Sequence, residues 1–262
     1  MVGFPAMPPP DAASVLERMP DLRESVARRN MRYVVADTLA ALIATGVLQV
    51  GDVLPGERDL ATALQVSRET VRGGVQILAT HGVIEVIHGV RTRVVSADVG
   101  PLGTGLREPK RVNTYDIESV HQARLLVERP VVAAAAERIN AATLRRLADS
   151  LDVQRAAMND PVRFLISDRE FHFAIYRACG NPALADFVAD LYTFMMEHRR
   201  RAVSRPGAIR NSYDDHRRIV AALGAHDPEE AVAAVTVHLD RIYTTTRSIL
   251  ESERKSRSPE AA

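Results

Sequence analysis

Near residue 65, two stretches with apolar residues at helical spacing meet at a tight turn, a short alternating segment follows, and helical spacing then returns for most of the chain. In Glu57–Leu64, Leu60, Ala61 and Leu64 share one edge, and Pro55 ends whatever precedes them. Val66 leads into Ser67, whose hydroxyl suits a helix cap, and Thr70, Val71, Val75 and Leu78 set the faces of a second helix. His81-Gly82 reads as its end. Val83–Ile87 and Thr92–Val95 then flank His88-Gly89-Val90-Arg91 as two strands around a turn. Two helices, a tight turn and a β-wing, over residues 31–97, are what a protein needs to lay one helix in the major groove of double-stranded DNA.

From Tyr115 to Leu250 strand signals are nearly absent. Breakers at Asn140, Asp160-Pro161, Gly180-Asn181-Pro182, Pro206-Gly207 and Gly224 to Pro228 divide the stretch into six helices. Their expected spans are Tyr115–Ile139, Ala142–Met158, Pro161–Cys179, Pro182–Ser204, Ala208–Leu223 and Pro228–Leu250. Short connections between them imply antiparallel neighbours. The fold expected is mainly α, an α+β winged helix-turn-helix followed by an all-α six-helix antiparallel bundle over 114–250. Pro8-Pro9-Pro10 and a charge-balanced segment mark residues 1–30 as a flexible extension. Glycine and proline between Gly100 and Pro109 mark 98–113 as a linker, and 251–262 reads as a tail.

Composition narrows the class without changing this picture. With 46% hydrophobic and 26% charged residues, the chain is expected to be a globular protein with proper cores rather than a disordered one. One cysteine, Cys179, excludes an intrachain disulfide framework and suits a reducing cytoplasm. No apolar run approaches the ~18 residues of a membrane span, and the N-terminus lacks a signal peptide's basic start, so a cytoplasmic protein without a membrane partner is expected. Residues 31–97 hold six arginines and six acids. Attraction to phosphate must therefore come from placement rather than bulk basicity. Arg68 and Arg72, four apart near a helix start, share one face, as groove-reading residues do; a solvated surface would account for the two alone, but the turn, cap and wing in register argue against it.

The helical half carries a second candidate chemistry. Leu165, Asp168, His172, Ile175 and Cys179 recur on one stripe of the third bundle helix, His216 sits with Ile219, Val220 and Leu223 on the fifth, and His238 with Ala231, Val235 and Ile242 on the sixth. A lone histidine on an apolar face is ordinarily a core residue satisfied by one hydrogen bond. A buried carboxylate without a partner is harder to explain, because an ionised group there costs several kcal/mol. A divalent cation would offset that cost, and Asp168 and His172, one turn apart, can chelate the same ion. Nitrogen-rich sets with one carboxylate suit zinc, nickel, iron or manganese, with zinc the first expectation. Arg124 shares the stripe of Ile117, Val120, Val127 and Val131; an inward guanidinium can hold an acid bidentately, or pair with Glu128 one turn on.

Gly46, Gly51-Asp52, Leu54-Pro55, Glu57-Arg58 and Leu60-Ala61, with Val66-Ser67-Arg68 and Val71-Arg72, resemble the winged helix of the GntR family of transcription regulators. By that resemblance Arg58, Ser67, Arg68, Thr70 and Arg72 occupy DNA-contacting positions, and the His88-Gly89 wing turn enters the minor groove. The family usually continues the recognition helix with Glu-Ala. Gly73-Gly74 stands here instead, at roughly 1 kcal/mol per glycine relative to alanine. Asp168-x-x-Phe171-His172, Asp215-His216 and His238-Leu239 look like the effector-binding (FCD) domain of the fatty-acid-responsive FadR branch, where the positions of Asp168, His172, His216 and His238 are metal ligands in metal-binding members. The resemblance implies a homodimeric regulator, most often a repressor, that binds operator DNA, a divalent metal and a small carboxylate or fatty-acid-like metabolite. Two other readings remain at this point: a metal-dependent hydrolase or lyase fused to a DNA-targeting module, and a bundle in which the metal is only a structural staple.

Overall fold

Pro20 opens the first helix, α1 (Pro20–Ala44), of a computed structural model that describes residues 20–86, 92–100, 102, 115–193 and 196–257. A proline at the first helical position lacks only an N–H that would have had no partner. The helix begins inside the stretch expected as an extension, so residues 20–30 continue α1 rather than precede it. The helix-turn-helix follows as α2 (Glu57–Leu64) and α3 (Arg68–Thr80), with Gln65 between them in the left-handed region at φ 55°. That conformation costs a non-glycine residue about 1–2 kcal/mol. Ser67 caps α3 as expected, its Oγ accepting from the Thr70 N–H at 3.1 Å.

The wing strands, β1 (Ile84–Val86) and β2 (Thr92–Val94), pair antiparallel with Glu85 opposite Arg93. A bridge from Val53 to Arg93 ties the segment before α2 to the same hairpin. Residues 87–91, and with them His88 and Gly89, lie outside the described residues.

The two glycines of α3 have a packing reason. A Cβ on Gly74 would lie 2.6 Å from Val35 Cγ1 and 3.1 Å from the Arg32 carbonyl, so the α1 backbone rests directly on α3 there. At Gly73 the obstacle is the Arg32 side chain, 2.4 Å away at Cδ. At Gly74, close approach of two helices, which any larger residue would prevent, outweighs the propensity cost of glycine.

The bundle consists of α4 (Ile117–Arg138), α5 (Ala141–Ala156), α6 (Pro161–Arg177), α7 (Pro182–Thr193), α8 (Met196–Val203), α9 (Ala208–Gly224) and α10 (Pro228–Arg257). The fourth expected helix, 182–204, is described as α7 and α8, residues 194 and 195 lying outside the described residues. Asp116, Asn140 and Asp160 cap α4, α5 and α6 through their side chains. The last helix passes its expected end at Leu250 and runs to Arg257, with Arg201 reaching Glu253 at 2.8 Å.

Helix α6 is the most deeply placed, packing against α4, α5, α7 and α8, with both aromatic and polar side chains enclosed. The two halves also share one connected apolar core that runs from Leu39, Leu60 and Leu78 to Leu147, Leu165 and Leu239. At their junction α2 packs on α5 and α6. Gln65 Nε2 donates to the Arg146 carbonyl at 2.9 Å and Gln65 Oε1 accepts from Arg146 Nε at 2.8 Å, which offsets the strain of its backbone. Asp59 faces Arg163 at 3.2 Å.

Candidate metal centre

The inward stripes of α6, α9 and α10 bring Asp168, His172, His216 and His238 to one point, each almost fully buried. The approach is set by helical spacing on α6, where the two residues stand one turn apart, while α9 and α10 pack on each other, α9 on α5 and α10 on α4. One ligand atom from each lies within 4.8 Å of every other. Asp168 Oδ1 is 3.4 Å from His216 Nε2 and 3.7 Å from His172 Nε2. Donor atoms around an ion with bonds of about 2.2 Å stand at most about 4.4 Å apart. The two measured separations fit within that, and the outer limit needs closure by a few tenths of an ångström.

Hydrogen bonding divides the cluster sharply. Asp168 Oδ1 and the Nε2 atoms of His172, His216 and His238 are buried with no hydrogen-bond partner among the described residues. On Asp168 and His216 the opposite edges are occupied. Asp168 Oδ2 accepts from Arg199 Nη2 at 2.8 Å and from the Tyr192 hydroxyl. His216 Nδ1 lies 2.7 Å from Gln154 Oε1, so the imidazole donates there and turns an unprotonated Nε2 inward. Asp215 Oδ2 faces His238 Nδ1 at 3.6 Å, too far for a hydrogen bond, and is itself held by Arg241 Nε at 2.8 Å. Outer partners that orient inner ligands in this way are the usual support of a metal site.

Protonation agrees with that arrangement. Burial alone would push the Asp168 carboxyl up, but Arg199, His172 and His216 together hold it well below the ordinary carboxylate range. Burial, reinforced by the neighbouring His238, drives His216 well down against the pull of Asp168. Burial also lowers His238 to about 4, with Asp215 opposing. A carboxylate beside neutral imidazoles is the protonation state that binds cations.

The expectation that an inward carboxylate would lack any partner but a cation needs correcting, since Arg199 and Tyr192 both hold one of its oxygens. Sequence reasoning missed Arg199 because it sits in the run Arg199-Arg200-Arg201, which reads as a solvated charge cluster. Gln154 and Asp215 were also missed, although Asp215 directly precedes a candidate ligand. Arg124 does pair with Glu128 one turn along, and Tyr176 donates to the same carboxylate at 2.7 Å. Its Nη2 nevertheless stays buried without a partner. Arg124 and Arg199 both lie over the Tyr192 ring and line a common cavity with Ile242 and Thr246.

On the other half, the structure leaves Arg58, Arg68 and Arg72 exposed, and Val71, Val75 and Leu78 of α3 turn into the core. No ion pair engages those three arginines among the described residues. The Ser67 and Thr70 hydroxyls are 2.7 Å apart, so part of their capacity serves the cap.

Two domain families match this chain: "Bacterial regulatory proteins, gntR family" over residues 32–94 and "FCD domain" over residues 119–241. The HTH-type transcriptional repressor NanR of Cronobacter sakazakii is 31% identical over 242 residues, covering 90% of this chain and 92% of that protein. The chain belongs to the GntR family. It is a transcription regulator of the FCD-containing branch, not an enzyme, which removes the hydrolase or lyase reading. The NanR repressor of Enterobacter sp. is 28% identical, with 90% of this chain and 92% of that protein covered. The solved structure of E. coli McbR/YncC matches with a TM-score of 0.48 at 21% identity, covering 86% of this chain and 98% of that one. The FCD match contains Asp168, His172, His216 and His238, and the GntR match contains every residue expected to contact DNA, from Arg58 to Gly89. Among the described residues no helix is long and apolar enough to cross a membrane.

Proposed function

We propose that this GntR-family regulator is a homodimeric, cytoplasmic repressor whose winged helices bind a short palindromic operator. In this reading its bundle holds one divalent cation, zinc in the first instance, and a small carboxylate metabolite tunes operator affinity. The observation that carries the metal is the set of four buried, unpartnered atoms aimed at one point, Asp168 Oδ1 and the Nε2 atoms of His172, His216 and His238. Each such atom costs about 1–3 kcal/mol when left unsatisfied. A bound cation would satisfy all four at once and, with only four protein ligands, leave a position for an acid oxygen.

Support for an acidic effector comes from Arg124 and Arg199, each with one buried guanidinium nitrogen unpartnered. The cavities they line are small, about 30 Å³ beside both and about 40 Å³ between Asp168, Arg199, Asn211 and Arg241. That size favours a small acid over a long acyl chain. Repression is taken from the relatives' names, and a homodimer is the state in which two winged helices could read two half-sites. The DNA face assigned is Arg58, Ser67, Arg68, Thr70 and Arg72, with His88 and Gly89 on the wing.

Elemental analysis of protein purified without a histidine tag tests the metal and should find about one zinc per subunit. No metal, together with unchanged thermal stability in His216→Ala, would return the histidines to ordinary core roles. Operator binding tests the other half. Arg68→Ala and Arg72→Ala should each cost about 1–3 kcal/mol, and Arg58→Ala should weaken binding evenly across sequences.

A further inference from the structure

Consecutive arginines on α8 face the two halves of the protein. Arg199 turns inward to Asp168 Oδ2 at 2.8 Å, while Arg200 turns outward and grips the N-terminal half. Arg200 Nη1 donates to the Val47 carbonyl at 2.8 Å and Nη2 to Asp52 Oδ1 at 2.9 Å, with a further Nη1 contact to Asp52 Oδ2. Asp52 in turn belongs to the segment laid along β2. Its carbonyl accepts from the Val94 N–H at 2.9 Å, the Gly51 N–H donates to Val94 at 2.9 Å, and the Leu54 N–H donates to Thr92 at 2.8 Å.

Adjacent residues of an α-helix point about 100° apart, so one short helix presents these two guanidinium groups in different directions. Two further polar ties between the halves, Gln65 with Arg146 and Asp59 with Arg163, use α5 and the first turn of α6 and touch no residue of the cluster.

We propose that α8 links the metal centre to the wing, with Arg199 sensing the charge on Asp168 and Arg200 passing the change to the Asp52 segment. The inference rests on the metal reading above. A carboxylate that shares its charge with a cation holds a guanidinium less strongly. Arg199 then loosens from Asp168, α8 shifts, and Arg200 relaxes its grip on Asp52 and the Val47 carbonyl. Freed from that grip, the Gly51–Leu54 segment and the hairpin it supports open more often, while α2, held by separate contacts, does not.

Backbone hydrogen exchange on the full-length protein, stripped with EDTA and then given Zn²⁺ alone, tests this, with zinc binding followed by calorimetry in parallel. Zinc should speed exchange of the Gly51, Leu54 and Val94 amides about tenfold and leave α2 unchanged. In Arg200→Gln these amides should exchange fast from the start and respond to zinc less than about twofold. Asp52→Asn breaks the same contact from the other side and should give the same loss of response, so one unfolded variant does not decide the matter. If zinc binds and these amides do not respond, or respond equally in both variants, α8 is not the link and the metal reading stands. If zinc does not bind, both fall.

Discussion

Arg199 Nη2 sits 2.8 Å from Asp168 Oδ2, so the carboxylate that offers one oxygen to three imidazoles is anchored by the other to a guanidinium from a different helix. Both groups are nearly fully buried, and the pair keeps the carboxylate charged where burial would protonate it.

Removing one partner of such a pair leaves an uncompensated buried charge. Arg199→Met should therefore destabilise the metal-free protein by about 3–5 kcal/mol. Saturating zinc should recover part of that loss, because the carboxylate regains a cation. Thermal or urea unfolding with EDTA and with zinc measures both. An equal loss in the two conditions would mean that Asp168 does not face the ion.

Gly74 and Gly73 look alike in the sequence and should behave differently. Gly74→Ala meets the β-branched Val35 and the Arg32 backbone, neither of which can swing aside, and should cost about 1–3 kcal/mol despite alanine's better helix propensity. Gly73→Ala first meets the Arg32 side chain, which among the described residues is tied by an exposed ion pair to Glu69. Its cost should be under about 1 kcal/mol. Urea midpoints of the two variants decide it; equal losses would place the constraint elsewhere.

That contrast shows what could be read from residue order. Helix spans in the bundle were legible because breakers such as Asp160-Pro161 and Pro206-Gly207 punctuate strong apolar stripes. Asp168, His172, His216 and His238 were legible because polar residues on those stripes have nowhere to go but inward. What was not legible depends on contacts between distant elements. The reason for Gly74 lies in α1, which packs directly on it, and the burial of Arg199, one of three consecutive arginines, in its contact with Asp168 on a different helix. The i, i+4 pair of Arg124 and Glu128 could be named from spacing, but not the Tyr176 hydroxyl that shares it from 48 residues away.

Acid should weaken the metal-free protein in a defined window. His238 is lowered to about 4 in the fold and His216 lies well below its ordinary value of 6.5. Below about 6.5 the unfolded chain takes up protons that the folded one refuses, so their contribution is intact above that pH and is lost as pH falls toward 4. Unfolding with EDTA at pH 7.5 and pH 5 should show lower stability at pH 5, with a smaller difference in His238→Gln. An unchanged pH dependence in that variant would show that His238 is not part of the acid response.

Gln154 is the remaining test of whether outer contacts tune the centre. Its Oε1 lies 2.7 Å from His216 Nδ1 and fixes which imidazole nitrogen carries the proton, leaving Nε2 free to face Asp168 Oδ1 at 3.4 Å. Gln154→Leu keeps the approximate volume but frees the ring to turn and to protonate the inward nitrogen. Loss of such a partner typically lowers metal affinity about 10–100-fold, and Gln154→Leu should weaken zinc binding by that factor. Gln154→Glu can still accept from Nδ1 and should retain most of the affinity. Competition against a chelator of known affinity gives both values. Unaltered zinc affinity in a folded Gln154→Leu protein would mean that helix packing alone orients His216.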